Sequence, residues 1–255
     1  MSPHPDDEII GAGATLIAMQ RRGHRVVNLA CSLGRPDDRV RRHNELLGAT
    51  QIAGFDNVIL DPPATIGGDE DLDAGVAAVH TAVAALIDEL RADIVVSPHP
   101  HDGHHGHEAV ARGVLAAVKA RPKVVWWMWG LWRDLPMPTL YVPYEESVMG
   151  VVTRAIAEHR GENERNGYDR MVHGRAAAYR CLGSERVFGF GAPAASPHPY
   201  ADLLTEARYN TCAHLWQFSA PRTLDAVQPL DHLWSTEDMA WLVEGPPLND
   251  RRRSG

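Results

Sequence analysis

Short apolar runs alternate with helical segments through the first half of this 255-residue chain. The apolar runs predict strands at residues 25–31, 57–60, 93–98 and 123–129. The segments between them predict helices at residues 9–22, 38–53, 72–91 and 108–119. Strands that are continuously apolar and separated by helices are typical of a parallel sheet covered by helices on both faces. The sequence therefore predicts an α/β fold with a mostly parallel sheet.

The alternation becomes less regular after about residue 135. We expect residues 1–135 to form the core, and residues 136–255 to continue the same domain as a smaller lobe of helices and irregular structure. Helices are predicted there at residues 145–160 and 168–182. One strand is missing from the scheme, because the "PHPDDE" loop should follow a strand and the chain begins where that strand should end. We expect a chain trimmed at its start rather than a sheet without its central strand.

Composition excludes several classes of protein. The formal net charge of -8 argues against a nucleic-acid-binding face, which would be basic. No apolar run reaches the roughly 18 residues of a membrane span, and three acids and two prolines in the first ten residues do not fit a secretory signal. Three cysteines without a C-x-x-C pattern fit a reducing compartment. We expect a cytoplasmic protein that binds neither nucleic acid nor a membrane.

The first chemical motif is "HPDDE" at residues 4–8, where the chain enters the first predicted helix. His4 and Asp7 are three residues apart in a turn, so both can reach one metal ion, and imidazole and carboxylate groups are ligands for zinc-type ions. Asp6 then lies beside the ion, where a carboxylate can accept a proton from water. The alternative is structural, since acids at a helix N-terminus interact favourably with the helix dipole. We interpret Glu8 in that structural way.

The second motif is "HPHDGHHGH" at residues 99–107, between a predicted strand and a predicted helix. Ligands of open α/β sheets bind at the carboxyl ends of the strands. The loop at residues 3–8 belongs to the same edge, so two histidine-bearing loops are expected to converge. Taken alone, the second motif also fits a solvated histidine-rich tract. Together the two loops favour one mononuclear metal site.

"PHPDDE" followed by a later H-x-x-H after a strand resembles the PIG-L/LmbE-like N-deacetylase family, from residue 3 to about residue 120. The resemblance implies a Rossmann-like sheet and a Zn²⁺ ion, with Fe²⁺ as the alternative. The metal ligands it implies are His4, Asp7 and His107. It also implies that Asp6 is the general base and that a protonated His104 stabilises the oxyanion or acts as the general acid.

The chain departs from the family pattern next to His104. The family has Pro-Asp between the two histidines of this motif, whereas this chain has His-Gly. The family aspartate helps to orient the first histidine, so we expect Asp102 or Glu108 to replace it. The alternative is that His101 or His105 takes the role of His104.

Two weaker matches concern the substrate. An R-x-x-E pattern of the family corresponds to Arg42 and Glu45, with Arg35 and Arg41 as competitors, and an aspartate after a strand corresponds to Asp61. In the family these positions contact sugar hydroxyls, so the resemblance implies that Arg42 and Asp61 bind substrate. The structural alternatives are an i,i+3 salt bridge between Arg42 and Glu45 and a turn position at Asp61.

The remaining aromatic and histidine positions are interpreted as mostly structural. Trp126 and Trp127 should pack on opposite faces of a buried strand. Trp129 and Trp132 lie at the end of that strand, on the side of the site, and one of them is expected to contact a ligand. His159 follows an A-x-x-x-H pattern of the family, but Arg-Gly-Glu replaces Ser-Gln after it, so it is assigned no catalytic role.

The resemblance implies an enzyme that hydrolyses an acetamide on an N-acetylglucosamine-type small glycoside and releases acetate and a free amine. Two alternatives stay open: cleavage of a different amide, as in the mycothiol-conjugate amidase branch of the family, and a metal- or sugar-binding protein without turnover. The expected partner is a small-molecule glycoside, a homo-oligomer is left open, and a role in secondary metabolism is expected.

Overall fold

The computed structural model describes residues 1–68, 71–224 and 233–244. The helices within these residues are α1 Asp7–Ile10, α2 Gly13–Arg21, α3 Arg39–Ala53, α4 Leu72–Leu90, α5 His105–Lys119, α6 Glu146–Glu158, α7 Arg160–Asn166, α8 Tyr168–Phe188 and α9 Ala240–Val243, with a 3-10 turn at Pro36–Asp38. The strands are β1 Val27–Ala30, β2 Asp56–Ile59, β3 Ile94–Pro98, β4 Val125–Trp129, β5 Leu140–Tyr144, β6 Tyr200–Asn210, β7 Leu215–Phe218 and β8 Arg222–Thr223. The predicted α/β fold is confirmed.

The strands form a two-stranded sheet, β1-β2, and a larger sheet in the order β3-β4-β6-β5-β8, with β7 also paired to β6. The pairs β1/β2, β3/β4 and β5/β8 are parallel, whereas β6 runs antiparallel to β4, β5 and β7. The last third of the chain therefore contributes β6 between β4 and β5, a strand that the sequence did not predict. Asp202, Thr205 and Glu206 are all buried in this strand, and their polarity obscures its apolar character.

The segment Met1–Pro3 lies where the missing first strand was expected. Ser2 forms a parallel bridge with Ala30 of β1, and the amino group of Met1 donates a hydrogen bond to the carbonyl of Val96 in β3 at 2.7 Å. A cavity of about 280 Å³ lies between β1 and β3 and is lined by the backbone segments 26–29 and 93–96. Met1 also lines this cavity.

Apolar clusters cover both faces of β4. Trp126 packs with α4 and α5 on one face, whereas Trp127 packs on the other with Met19 of α2 and with residues of β5 and β6. Both indoles are buried, so the predicted division of this pair between two faces is confirmed. Cys31 is buried, and burial raises the pKa of its thiol to about 12. Among the described residues, none of the helices combines the length and apolarity needed to span a membrane.

The helix predicted at residues 9–22 is two helices, α1 and α2, broken at Gly11 and Ala12. A Cβ atom on Gly11 would lie 2.5 Å from Cε2 of Trp129, so the backbone packs directly on this indole. The helix predicted at residues 145–160 also ends early, at Glu158, and the chain turns at His159 into α7. Both breaks lie beside the candidate site.

Candidate metal and catalytic site

The turn before α1 directs His4 and Asp7 to the same point. The backbone N–H of His4 donates to Oδ2 of Asp7 at 2.9 Å, and Nδ1 of His4 lies 3.5 Å from the same oxygen. The N–H of Asp7 in turn donates to the carbonyl of His4. The tight turn thus places an imidazole and a carboxylate side by side at the start of α1.

His107 approaches this pair from the first turn of α5. Its Nε2 atom lies 3.3 Å from Oδ1 of Asp7, and its Nδ1 atom lies 2.9 Å from Oδ2 of Asp102. The three predicted ligands, His4, Asp7 and His107, offer donor atoms that all lie within 4.8 Å of one another. Two imidazoles and one carboxylate form the donor set of an open catalytic zinc site, and a carboxylate behind the histidine is its usual orienting partner.

The charges of the site favour a bound cation. Burial opposes a charge on His107, but Asp7 and Asp102 outweigh it and raise the pKa of His107 to about 10. Burial would likewise raise the pKa of Asp7, but His107 and hydrogen bonds from His107 and His4 hold that pKa well below its usual value. A position between two carboxylates that favours a proton so strongly also favours a metal ion. The residues present therefore fit a zinc-type ion.

Asp6 lies between the candidate ligands His4 and Asp7 in sequence and is the N-cap residue of α1. Its side chain is buried, and burial together with the neighbouring Asp7 raises the pKa of Asp6 well above its usual value. The guanidinium of Arg42, 3.8 Å from Oδ2 of Asp6, opposes this rise. A buried carboxylate with a raised pKa, next to a metal site, is suited to accept a proton.

His104 is the N-cap residue of α5 and stacks on two rings. Its ring centroid lies 4.5 Å from that of His105 and 5.5 Å from that of Trp132. Burial and the neighbouring His107 and His4 lower the pKa of His104 to about 3. Desolvation therefore favours the neutral imidazole of His104, which argues against the protonated form that the resemblance implies.

Neither of the two acids expected to orient His104 does so through Nδ1, which is buried without a hydrogen-bond partner. Asp102 contacts His107 instead, and its Oδ1 atom accepts the N–H groups of Leu131 and Trp132 at 2.6 and 3.2 Å. Glu108 accepts the N–H of Gly103 at 2.9 Å. The contacts that His104 does form are with the rings of His105 and Trp132, on which it stacks.

Gly106 stands at the position of that family aspartate, and its surroundings are tight. A Cβ atom there would lie 3.0 Å from the carbonyl oxygen of Ile66 and 3.1 Å from Cε1 of His4. A side chain at this position would press on the ring of His4, one of the three candidate ligands. The glycine therefore allows the close approach of the two loops.

The other histidines of the second loop lie outside the ligand cluster. His99 is buried, its Nδ1 accepts the N–H of His101 at 3.0 Å, and burial lowers its pKa to about 3. His101 stacks near His99, and His105 stacks on His104. Among the described residues, the ligand cluster contains neither His101 nor His105. The alternative that one of them takes the role of His104 stays a prediction.

The two predicted substrate residues differ in their surroundings. Nη2 of Arg42 donates to the carbonyl of Pro5 at 2.9 Å and lies 3.7 Å from Oε1 of Glu162. The proposed i,i+3 pair with Glu45 is not formed, because Glu45 pairs with Arg41 at 2.8 Å. Asp61 is exposed just beyond β2. Substrate contacts of Arg42 and Asp61 stay predictions.

Comparison with known families identifies the first part of the chain. Residues 1–118 match the PIG-L family, described as GlcNAc-PI de-N-acetylase. These residues form a PIG-L domain. The family recognised from "PHPDDE" is thereby confirmed, and the domain contains both histidine-bearing loops.

Curated relatives of the PIG-L domain include the 1D-myo-inositol 2-acetamido-2-deoxy-alpha-D-glucopyranoside deacetylase of Mycolicibacterium gilvum. It is 28% identical over 158 residues, which cover 48% of this chain and 56% of the relative. The chain thus spans about half the length of the curated relatives it matches. Relatives of this domain are deacetylases of N-acetylglucosamine-type substrates.

Solved structures show a similar fold. The N,N'-diacetylchitobiose deacetylase of Pyrococcus horikoshii matches with a TM-score of 0.59 and 14% identity, over 80% of this chain and 81% of that chain. The 4-carboxy-2-hydroxymuconate hydratase of Pseudomonas putida KT2440 matches with a TM-score of 0.59 and 18% identity, over 80% of this chain and 93% of that chain. At these identities the likeness concerns the fold alone, and the two names describe different reactions.

Two side chains outside the PIG-L domain reach the site, and sequence reasoning gave neither of them a role. Nε2 of His159 lies 2.7 Å from Oε1 of Glu8, and both side chains are buried. Glu162, on α7, contacts Arg42. The A-x-x-x-H pattern was the available signal for His159, but nothing local in the sequence indicates its partner, which is 151 residues away.

Proposed function

We propose that this protein is a metal-dependent N-deacetylase that hydrolyses the acetamide of an N-acetylglucosamine-type small glycoside. The observation that carries the proposal is the buried carboxylate of Asp6, with a raised pKa, directly beside the His4, Asp7 and His107 cluster. This arrangement provides a proton acceptor next to a cation site, which is what amide hydrolysis by water requires.

His4, Asp7 and His107 would hold the ion, with Zn²⁺ as the first candidate and Fe²⁺ as the second. When bound, such an ion supplies Lewis acidity, which lowers the pKa of water towards about 7 and polarises a carbonyl group. Asp102 keeps His107 oriented through Nδ1. The protein side of the chemistry then rests on Asp6 and His104.

Asp6 accepts the proton of the attacking water and returns it to the departing nitrogen, so that the products are acetate and a free amine. Its raised pKa suits both steps, since a stronger base accepts the first proton more readily. Arg42 lies beside the carboxylate and limits the rise of its pKa. A bound cation would lower the pKa of Asp6, as Arg42 does.

His104 acts as a neutral hydrogen-bond donor. A neutral imidazole carries one N–H group, which can stabilise the negative charge that develops on the amide oxygen. Its low pKa of about 3 makes it a poor source of protons at neutral pH, which leaves the acid step to Asp6. Stacking on His105 and Trp132 keeps the ring in place.

The substrate class is supported by the deacetylase relatives and by the rim of the site. Trp132 is 59% exposed and stacks against His104, so its indole can pack on the face of a sugar. Arg42 and Asp61 are the proposed contacts to sugar hydroxyls. The three cysteines are free, which fits the proposed setting of the reaction in the cytoplasm.

The test is acetate release from a panel of N-acetylglucosamine, its inositol glycoside, an N-acetylated aminoglycoside precursor and a glycopeptide pseudoaglycone. The protein is loaded with zinc or ferrous iron, and Asp6→Asn is assayed beside the control Asp37→Asn, which changes an exposed acid of the 3-10 turn. We expect Asp6→Asn to lower kcat by about 10²- to 10⁴-fold with its metal content retained. No acetate from any substrate, in protein that binds one metal ion, would contradict the proposal.

A further inference from the structure

The backbone of Asp6 adopts a conformation that L-residues rarely take. Its φ angle is 110° and its ψ angle is -33°. Such a conformation is energetically unfavourable and persists only where surrounding contacts hold it. The contacts that hold Asp6 therefore also fix the direction of its carboxylate.

Glu8 forms the contact to the Asp6 peptide group. Its Oε2 atom accepts the backbone N–H of Asp6 at 2.9 Å, which satisfies a donor at the start of α1 as the expected capping role requires. Its Oε1 atom lies 2.7 Å from Nε2 of His159, where α6 meets α7. The exposed fractions of the two side chains are 1% and 0%, so the pair is shielded from water.

The His159 side chain has one hydrogen-bond partner among the described residues, which is Glu8. Its Nδ1 atom is buried and has no hydrogen-bond partner, so the contact with Glu8 is the one hydrogen bond of the side chain. A buried imidazole with half of its hydrogen-bonding capacity unused is costly. Apolar side chains in place of both Glu8 and His159 would fill the same space at lower cost, which argues for a role of the pair beyond packing.

A second connection runs from the same helix junction to the same turn. Glu162 of α7 contacts Arg42, and Arg42 donates to the carbonyl of Pro5, which precedes Asp6. The peptide group between Pro5 and Asp6 is thus held on its oxygen by Arg42 and on its nitrogen by Glu8. Both contacts lead back to residues 159–162, outside the PIG-L domain.

We propose that Glu8 and His159 are positioning residues, which hold the strained peptide of Asp6 and thereby aim its carboxylate at the reaction centre. The inference rests on the proposed function of Asp6 as the base. It assigns to the α6–α7 junction a part in catalysis that is separate from binding the metal ion.

The test compares His159→Ala, which breaks the contact, with His159→Gln, whose amide N–H can still donate to Glu8. The control is Thr15→Val, which removes an equally buried hydrogen bond, from Oγ1 of Thr15 to Oδ2 of Asp202 at 2.7 Å. Each metal-loaded protein is measured for kcat, KM, metal content, melting temperature, and hydrogen exchange of peptides that cover residues 4–10.

We expect His159→Ala to lower kcat by about 10- to 100-fold, with KM and metal content nearly unchanged, because the ligands stay in place. Exchange in residues 4–10 should accelerate on the order of tenfold, since one hydrogen bond is lost. His159→Gln should recover most of both values. Thr15→Val should lower the melting temperature while leaving kcat and this exchange unchanged.

The inference is overturned if His159→Ala behaves like Thr15→Val, with a lower melting temperature but the parental kcat and exchange. If the parent protein releases no acetate, the proposed function fails, and hydrogen exchange alone decides the inference. Faster exchange of residues 4–10 in His159→Ala alone then supports the claim that the contact between His159 and Glu8 holds Asp6. Exchange in that variant at the rate of the parent protein overturns this claim.

Discussion

The two histidine-bearing loops of the site use their polar residues very differently. In the loop at residues 4–8, His4, Asp7 and Glu8 each contact another polar group of the site, and Asp6 is buried beside them. In the loop at residues 99–107, five histidines are present, but His107 alone joins the ligand cluster found in the described part of the chain.

The difference teaches that the number of histidines in a loop is a poor guide to metal binding. The first loop is a short turn that enters a helix, so the spacing of its residues determines the direction in which each side chain leaves the backbone. The second loop is longer, and its histidines also meet structural needs, such as the hydrogen bond between His99 and the His101 peptide. Substitutions in the two loops should separate metal binding from these structural roles.

The largest effect is expected for His107→Ala. This change removes a ligand that contacts Asp7 and Asp102, so it should abolish both metal binding and acetate release. His101→Ala is the matched control from the same loop and should keep both. Metal content measured by elemental analysis, together with acetate release, distinguishes them. If His107→Ala bound one ion as tightly as the parent protein does, His107 would be no more necessary for metal binding than His101.

His104→Gln should have the next largest effect, a fall of about 100-fold in kcat/KM, because an oxyanion donor is displaced. Since the pKa of His104 is about 3, the ring is neutral from pH 5 to 9 and the fall should be the same at every pH in this range.

The acidic limb of the profile should remain in His104→Gln. It belongs to Asp6, which works only when ionised, so kcat/KM falls as the pH drops through the raised pKa of Asp6. The measurement is kcat/KM against pH for both proteins. Disappearance of a limb in the variant would show that His104 titrates in the working range.

Asp102→Asn should weaken metal binding by about 10- to 100-fold without abolishing it, because the asparagine no longer provides a charge behind His107. The N–H groups of Leu131 and Trp132 still find an oxygen acceptor, so the fold should persist. Competition with a chelator measures the affinity. Unchanged affinity for the metal would mean that Asp102 stabilises the loop that carries Trp132 and does not support metal binding.

The smallest effect on activity, within about twofold, is expected for His99→Gln, whose role is structural. Burial depresses the pKa of His99 from 6.5 to about 3. A depressed pKa means that His99 contributes stability above pH 6.5, and this contribution is lost as the pH falls towards 3.

The variant should therefore lose less stability than the parent between pH 7 and pH 5, by about 2 kcal/mol. Denaturant unfolding at both pH values, with His101→Ala alongside, provides the measurement. Equal losses in the parent and in His99→Gln would mean that His99 is accessible to protons in the folded state.

Much of this fold follows from local sequence. Runs such as residues 93–98 and 123–129 are short and apolar, and the structure has β3 and β4 within them. Trp126 and Trp127 separate to opposite faces because neighbouring residues of a strand must do so. The grouping of His4 with Asp7 depends on a spacing of three residues, which a turn converts directly into proximity.

The features that sequence did not predict depend on distant partners. β6 contains Asp202 and Glu206, whose burial is explained by Thr15 and Arg222 in other parts of the chain. His159 meets Glu8 across 151 residues. The ionisation of His104 is likewise set by packing, since only the folded chain removes its ring from water.

Anomalous diffraction from crystals of the zinc-loaded protein tests the central claim most directly, because it locates the ion and its ligands. The account predicts one peak per chain, bound by His4, Asp7 and His107 at about 2.0–2.2 Å. A peak held instead by other histidines of residues 99–105 would contradict the assignment of the second loop and, with it, the placing of Asp6 beside the metal.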